Sequence, residues 1–478
     1  MLFRQRQYFA SAQYHHPFTA ICAAIQIRLT SAINYNNKIN KESPAMATPT
    51  SERWSNRFSF LMVGIGAAVG LGNLWRFPFQ AGENGGSAFV LVYLLCIIGI
   101  VYPVLIGELA VGRHMGLSAV GSTKEMAKAA GRSPWWGLVG GIGAFATYMV
   151  LCIYGVISGR VLAFAFAGFT GGYLEGSMPA VYDTPLRAFL WQSLFMGITV
   201  AIVLRGLHKG IEGFARIAMP AFFVIIVLLS VYSLINGSAS AAIDYLLSPR
   251  FDELTPAVML AAFGQAFFSV VVGGAAMLTF GAYMDKQANI ASDGAFIATC
   301  DTIVAMMAGL MIFPVVFQFS LDPAMGMGLI FSTMPLSFLQ MPAGSLVGGL
   351  FFSLAALGAL TSSITMLMLA AVVVEEQLQL QRKTAVLILG AIAWIIGGFS
   401  VFFPNLNEEI DFFSGQVMMP IGGILIAVFA GWIAPKDAMR GELSGLSDSL
   451  FSVWRFTVRY VAPLLVGGVL VLGVSARF

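Results

Sequence analysis

The chain has 478 residues, of which 58% are hydrophobic and only 10% are charged. Soluble domains carry roughly 25% charged residues, so this composition excludes an ordinary soluble protein and indicates an integral membrane protein. The formal net charge of +3 does not indicate nucleic-acid binding, because the basic residues lie in loops beside apolar runs.

The N-terminal segment 1–45 differs from everything that follows it. It carries basic residues but no acid before Glu42, and no apolar run in it is long enough to cross a bilayer. A signal peptide fits poorly because no clear apolar core and cleavage site appear. We interpret 1–45 as a disordered extension or as the product of a start chosen upstream of Met46, with a targeting peptide as the alternative.

From residue 46 onward the chain is predicted to form one all-α membrane domain, 46–478. Apolar runs reach the roughly 20 residues that a transmembrane helix needs, whereas a membrane barrel would show short alternating segments. About eleven such runs occur. They begin near Phe58, Ser87, Trp135, Ala188, Phe214, Pro256, Ala291, Leu346, Ala385, Phe412 and Phe456.

Lysine and arginine collect in every second loop between these runs. Positive loops stay on the cytoplasmic side, so this alternation predicts a cytoplasmic N-terminus, and an odd number of spans leaves the C-terminus outside. The basic loops contain Arg53 and Arg57, then Arg113, Lys124, Lys128 and Arg132, then Arg205, Lys209 and Arg216, then Lys286, Arg382 and Lys383, and finally Lys436, Arg440 and Arg455.

Two of the apolar runs are interrupted. The first is broken over 69–78 by two glycines, an amide and Arg76, and the sixth is broken over 271–275 by paired glycines. Unpaired backbone groups and charges are costly in hydrocarbon, so such breaks belong where protein or a water-lined cavity surrounds them. The alternative for the first break alone is a kinked helix with a snorkelling Arg76.

Paired breaks in corresponding positions of two halves indicate a transporter binding site at the membrane midplane. We therefore predict a 5+5 inverted repeat with broken first and sixth helices. The first repeat would be 58–236, the second 256–433, and one extra helix would follow over 454–476.

The motifs around the breaks resemble the neurotransmitter:sodium symporter family, whose bacterial members are mostly amino-acid transporters. The resemblance runs from about Trp54 to the end of the chain, in family order. Its motifs are Ala68–Pro78, Glu83–Phe89, Gly107-Glu108 with Gly112-Arg113, Lys209–Glu212 with Met219-Pro220, Gly264–Ser269, Leu360–Ser363 and Glu409–Phe413.

The resemblance implies two sodium sites built from oxygen atoms. One would use the carbonyls of Gly66, Val69 and Gly358 with the hydroxyls of Thr361 and Ser362, and the other the Ala68 carbonyl, Asn73, Ser269 and Asp301. The alternative for the two hydroxyls is bonding back to the preceding helical turn, which is common in membrane helices.

Asp301 departs from the family, which usually has asparagine there. Ala305 stands where the family has a chloride-binding serine or an alternative acid. Two interpretations stay open: a carboxylate that replaces the chloride of animal members, or a carboxyl kept protonated by burial.

The substrate site implied by the resemblance surrounds the broken first span. The carboxylate of the substrate would face free N–H groups at the positive end of the second half-helix, beside a tyrosine hydroxyl. Gly70 stands where monoamine carriers have an aspartate, and the other positions are apolar or small, so a neutral amino acid is predicted. The implied substrate residues are Ala68, Gly70, Leu71, Gly72, Val150, Tyr154, Phe268, Val271, Gly274, Ser362 and Met366.

The resemblance also implies two gates. Arg76 and Asp411 would close the outer side over the substrate, and Trp54, Tyr283 and Glu376 would plug the inner side. The usual arginine three positions before the tryptophan is Ser51 here, so Arg53 is either its substitute or a plain cytoplasmic anchor.

Together these features predict a sodium-coupled symporter that imports a neutral, large apolar or aromatic L-amino acid by alternating access, without chloride, at a bacterial plasma membrane. An amino-acid sensor with transporter architecture is the alternative. No cofactor beyond the coupling sodium ions and no enzymatic activity are expected; the predicted partners are the amino acid, sodium and the lipid bilayer, with a homodimer left open.

Overall fold

The computed structural model describes residues 52–171, 180–322 and 328–475. All regular elements within these ranges are helices, as the sequence predicts. The segment 1–45, interpreted above as an extension, and Ser51 lie outside the described residues.

Of the eleven predicted spans, the described helices support nine or ten by length and hydropathy. Nine helices are long and apolar enough to cross a membrane, and a bent pair at the start forms one more. The sixth predicted span corresponds to two helices that are each shorter than a membrane crossing, Pro256–Ser269 and Ala276–Ala282. We number the spans 1 to 11: Arg57–Ala68 with Gly72–Glu83, Ser87–Met115, Pro134–Phe169, Pro185–Leu204, Leu207–Asn236, the pair just given, Ile290–Gln318, Gly344–Leu378, Arg382–Phe402, Pro404–Ile433 and Asp448–Gly473.

Span 1 breaks between its two halves, which are bent by 49°. The backbone leaves the helix at Val69, whose ψ of 115° is extended, and the helix resumes at Gly72. The Gly70 N–H, which the break frees, donates to the Asn73 side-chain oxygen at 3.2 Å. The broken backbone is therefore satisfied locally, as a break at membrane depth requires.

Span 6 breaks over the six residues between its halves, where Val271, Gly273 and Ala275 have φ of 53°, 86° and 61°. Such left-handed backbone disfavours a branched residue like Val271, and the surrounding packing must hold it. The Glu108 carboxylate of span 2 does part of this, because it accepts a 2.7 Å hydrogen bond from the Gly273 N–H. A Cβ at Gly273 would lie 2.7 Å from the Met419 carbonyl oxygen, so only glycine fits.

The spans differ in how deeply the protein buries them. In the most apolar stretch of span 8, 83% of the residues are buried, against 22% in span 11. Span 8 is thus a central helix, and span 11 lies at the periphery. Shorter helices join the spans, among them Ala119–Ala129, Ala239–Leu247, Met334–Leu339 and Lys436–Glu442.

Candidate functional site

A cavity lies between spans 1, 3, 6, 8 and 10, beside both helix breaks. Its lining carries no charged side chain. The predicted substrate residues line it, with the exception of Gly274. The complete lining is Ala67, Ala68, Gly70, Leu71, Gly72, Thr147, Val150, Tyr154, Phe268, Ser269, Val271, Ser362, Met366 and Met419.

One end of the cavity is polar. The Leu71 N–H points at the Tyr154 hydroxyl at 3.5 Å, and the second half of span 1 begins at the next residue. The start of a helix presents unpaired N–H groups and a partial positive charge, which suits an anion. A Cβ at Gly70 would lie 2.6 Å from Ser362 Oγ and 3.3 Å from the Tyr154 hydroxyl oxygen, so the glycine keeps this end open.

Gly274 lies behind the cavity wall rather than on it. Its carbonyl accepts a 2.8 Å hydrogen bond from Thr147 Oγ1, and a Cβ there would lie 3.2 Å from the Met419 side chain. Thr147 and Met419 themselves line the cavity, and the sequence analysis missed both. The spacing of Thr147, Val150 and Tyr154 places them on one helical face, a signal that could have identified Thr147.

The second predicted group of sodium ligands forms one buried cluster. Asn73 Nδ2 donates to Asp301 Oδ1 at 2.7 Å and to Ser269 Oγ at 3.1 Å. Ser269 Oγ in turn donates to Asp301 Oδ2 at 2.6 Å. Spans 1, 6 and 7 thus bring these three side chains together, all with 2% exposure or less.

This cluster can offer several oxygens to a cation. In the arrangement described, the amide nitrogen of Asn73 faces the carboxylate. A cation between them needs the amide oxygen instead, and the half-turn about the Cβ–Cγ bond that provides it gives up the hydrogen bond from the Gly70 N–H. Tyr93 adds a buried hydroxyl 3.4 Å from Ser269 Oγ, a neighbour that the sequence analysis did not name.

The hydroxyls of the first predicted sodium group lie on span 8 beside the break in span 1. Thr361 Oγ1 donates to the Gly358 carbonyl at 2.9 Å, and Ser362 Oγ donates to the same oxygen at 3.1 Å. A Cβ at Gly66 would lie 3.0 Å from Thr361 Cβ, so the two spans are in close contact. Back-bonding uses only the hydroxyl hydrogens, and the oxygen lone pairs stay available to a cation. Val69, the remaining member, ends the first half-helix at this point.

Arg76 and Asp411, the predicted outer gate, act on each other electrostatically. Within the described residues they form no ion pair within 4.0 Å. Arg76 instead stacks on Phe268, with its guanidinium carbon 4.2 Å from the ring centroid. The cation therefore covers the aromatic side chain that lines the cavity.

Trp54, which is predicted to plug the inner side, is buried. Its Nε1 donates to the Phe280 carbonyl at 3.1 Å, and its backbone N–H donates to the Tyr283 carbonyl at 3.1 Å. The rings of Trp54 and Tyr283 meet edge to face, 5.9 Å apart. The chain before span 1 is thereby tied to the end of span 6.

Glu376, the third residue of the predicted inner plug, binds a different element. Its carboxylate accepts 2.7 Å hydrogen bonds from the Ser118 N–H and hydroxyl, at the start of the short helix Ala119–Ala129. The neighbouring Glu375 contacts Arg382 at 2.8 Å, and Arg382 donates to the Tyr283 hydroxyl at 3.4 Å. Arg53 is exposed.

Comparison with known proteins identifies relatives along nearly the whole chain. A sequence model described as the sodium:neurotransmitter symporter family matches residues 51–176 and 185–477. The uncharacterized sodium-dependent transporter YhdH of Bacillus subtilis is 32% identical over 435 residues, which cover 87% of this chain and 96% of the relative. An uncharacterized sodium-dependent transporter of Haemophilus influenzae is 29% identical over 91% of this chain and its own full length.

A solved structure agrees with the fold. The crystal structure of MhsT in complex with L-phenylalanine superposes with a TM-score of 0.79 at 36% identity. The match covers 88% of this chain and 99% of MhsT. MhsT has the fold of the bacterial leucine transporter, in which an inverted repeat of five helices surrounds a central site.

Proposed function

The chain belongs to the sodium:neurotransmitter symporter family, and from this premise we propose that it imports a neutral L-amino acid with a large apolar or aromatic side chain. The family consists of sodium-dependent transporters and not of enzymes, so the chain is a multi-pass membrane transporter that uses sodium as its coupling ion. The proposal concerns the substrate, the residues that bind it and the independence from chloride.

The observation that carries the substrate proposal is the uncharged cavity with one polar end. A zwitterion places its carboxylate at the Leu71 N–H, the Tyr154 hydroxyl and the start of the half-helix. Val150, Val271 and Met366 then surround the side chain. A charged side chain would meet no counter-charge there, and burying it unpaired costs several kcal/mol. The complex of MhsT with L-phenylalanine supports an aromatic substrate.

Two sodium ions occupy the two oxygen-rich groups. One lies among Ala68, Asn73, Ser269 and Asp301 and contacts the substrate carboxylate directly. The other lies among Gly66, Val69, Gly358, Thr361 and Ser362, where it links span 1 to span 8. The close contact of Gly66 with Thr361 supports this second position, because it brings the backbone of span 1 next to the hydroxyls of span 8.

Asp301 makes chloride unnecessary in this proposal. Its carboxylate touches Asn73 and Ser269 in the first ion group, and Ala305 leaves no hydroxyl for an anion one turn further along span 7. A fixed negative charge beside two sodium ions and one substrate carboxylate supplies the balance that an anion would otherwise give. The alternative is a protonated carboxyl, which would leave that balance incomplete.

The transport cycle alternates between a state that is closed on the outer side and a state that is closed on the inner side. Arg76 with Asp411 and the Phe268 ring close the outer side, and Trp54 with Tyr283 closes the inner side, while Glu376 holds the neighbouring helix. One group of helices rocks against the other around the fixed central site, and span 11 stays peripheral. We place the chain in a bacterial plasma membrane, and the loop charges favour an N-terminus inside and a C-terminus outside.

An amino-acid sensor would keep the binding site but would not move the ligand. Counterflow with purified chain in proteoliposomes distinguishes the two functions. Vesicles loaded with unlabelled L-phenylalanine in sodium buffer should accumulate labelled L-phenylalanine, and vesicles in choline buffer should not. Saturable sodium-dependent binding without any counterflow would overturn transport and favour the sensor.

A further inference from the structure

A basic groove lies where span 11 meets the short helix that precedes it, away from the central cavity. Lys436 of that short helix and Ser452, Arg455, Phe456, Arg459 and Tyr460 of span 11 line it. The groove is open on one side. It shares no residue with the proposed substrate or sodium sites.

The charges in this groove are not balanced. Lys436, Arg455 and Arg459 contribute three cations, and within the described part of the chain no carboxylate lies within 4.0 Å of any of them. Asp437 acts on Arg455 only from a longer distance. Arg455 and Arg459 are also one helical turn apart, a spacing at which like charges repel.

Arg440, which lies nearby, is an example of a cation whose charge is neutralised by its neighbours. Arg440 contacts Asp448 at 2.8 Å and donates to the carbonyls of Leu443 and Leu446. Arg440 is therefore neutralised by its neighbours, in contrast to the three cations of the groove.

The guanidinium of Arg459 is held in place through its Nε atom and its carbon face, which leaves its terminal N–H groups available as donors. Its Nε donates to the Gly431 carbonyl at 2.6 Å, and its carbon lies 4.7 Å from the centroid of the Trp432 ring. Trp432 in turn donates to the Arg459 carbonyl at 3.2 Å. The terminal nitrogens of Arg459 make no hydrogen bond with the described residues. A fixed guanidinium with free donors suits the oxygens of a phosphate.

The surroundings of the groove face lipid. Leu450, Val453, Phe456 and Leu464 project from span 11 and are exposed in the isolated chain. In a multi-pass membrane protein such side chains contact acyl chains, and the nearby Trp432 and Tyr460 are typical of the membrane interface. Cations on such a helix must reach polar headgroups or find an anion.

We propose that this groove binds the phosphate of an anionic membrane lipid. Lys436, Arg455 and Arg459 would donate to the phosphate oxygens, and Phe456 and Tyr460 would pack against the glycerol and the first acyl carbons. Basic pockets between membrane helices commonly hold such headgroups. The adjoining apolar surface favours a lipid over a free anion, because only an amphipathic ligand satisfies both parts of the groove.

The test uses the full chain in detergent micelles and measures its thermal midpoint during titration with dioleoyl-phosphatidylglycerol. Dioleoyl-phosphatidylcholine and inorganic phosphate are titrated in parallel. The test variant is Lys436→Gln with Arg455→Gln, which leaves the structural contacts of Arg459 in place. The matched control is Arg205→Gln with Lys209→Gln, which removes the same charge from exposed positions in another basic loop.

We expect phosphatidylglycerol, and neither phosphatidylcholine nor phosphate, to raise the midpoint of the wild type. The test variant should bind it about twenty-five-fold more weakly, from about fivefold for each of the two cations removed at an anionic surface. If the test pair does not fold, Arg455→Gln alone should show the fivefold effect, and Arg455→Lys should restore most of it.

Three results would overturn the proposal. If the control pair weakens phosphatidylglycerol binding equally, the lipid is attracted to basic loops in general and not to this groove. Equal stabilisation by inorganic phosphate would mean a soluble anion. Unchanged phosphatidylglycerol affinity in the test variants would remove the groove from lipid binding altogether.

Discussion

Asn73 and Asp301 are in direct contact: Nδ2 of the first lies 2.7 Å from Oδ1 of the second. The contact joins the broken span 1 to span 7, and both residues are completely buried. A carboxylate in this position carries a charge into the region where the proposed substrate and ions meet. The first prediction concerns that charge.

Replacing chloride by gluconate at fixed sodium should leave wild-type uptake unchanged, because Asp301 supplies the negative charge. Asp301→Asn should lower uptake in both buffers. Asp301→Asn combined with Ala305→Ser should restore uptake only when chloride is present. Initial rates in proteoliposomes measure all three, and a wild type that stops in gluconate would show that Asp301 does not replace the anion.

The second prediction concerns sodium at span 8. Thr361→Ala with Ser362→Ala should weaken sodium activation of uptake about tenfold for each hydroxyl, the typical contribution of a bond to a charged partner. Thr365→Ala is the control, because Thr365 is a buried hydroxyl on the same helix that also bonds back, at 3.0 Å to the Thr361 carbonyl. Equal sodium curves for the wild type and the double variant would exclude these hydroxyls as ligands.

The third prediction concerns the substrate carboxylate. A decarboxylated analogue such as phenethylamine should compete far less well than L-phenylalanine, because it lacks the group that meets the Leu71 N–H and the Tyr154 hydroxyl. Tyr154→Phe should narrow the difference in inhibition between phenethylamine and L-phenylalanine, because it removes the hydroxyl and keeps the packing of the ring. Competition assays at fixed sodium measure the ratio, and equal inhibition by amine and amino acid would contradict carboxylate recognition.

Side-chain preference gives the fourth prediction. Gly274→Ala places a methyl group 2.6 Å from Thr147 Oγ1 and should push Thr147 into the cavity. Overpacking of this kind typically costs about 1–3 kcal/mol, so we expect about tenfold or greater loss for phenylalanine relative to alanine. Gly264→Ala on the same span is the control, since a Cβ there meets nothing within 4 Å. A preference that does not shift would exclude Gly274 from any influence on the pocket.

The sequence predicted the spans and their breaks well, because span length and hydropathy are local properties. It also named Asn73, Ser269 and Asp301, which the fold brings into one cluster. It missed Thr147 and Met419, since the residues that line a cavity depend on how each helix is rotated. Glu376 is an example of this dependence on helix rotation. Adjacent residues of a helix point about 100° apart, and it is the neighbouring Glu375, not Glu376, that contacts Arg382.

The last prediction concerns stability and pH at Glu442, which lies outside the spans. Its side chain contacts Arg113 at 2.6 Å, His114 at 3.1 Å and Lys286 at 3.5 Å. Partial burial alone would raise the pKa of Glu442, but hydrogen bonds from His114 and Arg113 and the charges of Arg113 and Lys286 lower it from 4.5 to about 2. The ionised form is therefore favoured in the folded state.

A carboxyl whose folded pKa lies below its unfolded value stabilises the fold above the unfolded pKa and loses that contribution as pH falls toward the folded pKa. Glu442→Gln should therefore lower the free energy of unfolding by about 2 kcal/mol near pH 7, after allowance for solvent screening. The difference from wild type should shrink between pH 4.5 and about 2. Glu125→Gln removes an exposed pair with Lys128 and should cost well under 1 kcal/mol at any pH. Thermal unfolding in detergent measures both variants, and a difference at Glu442 that grows as pH falls would show that the carboxylate does not stabilise the fold.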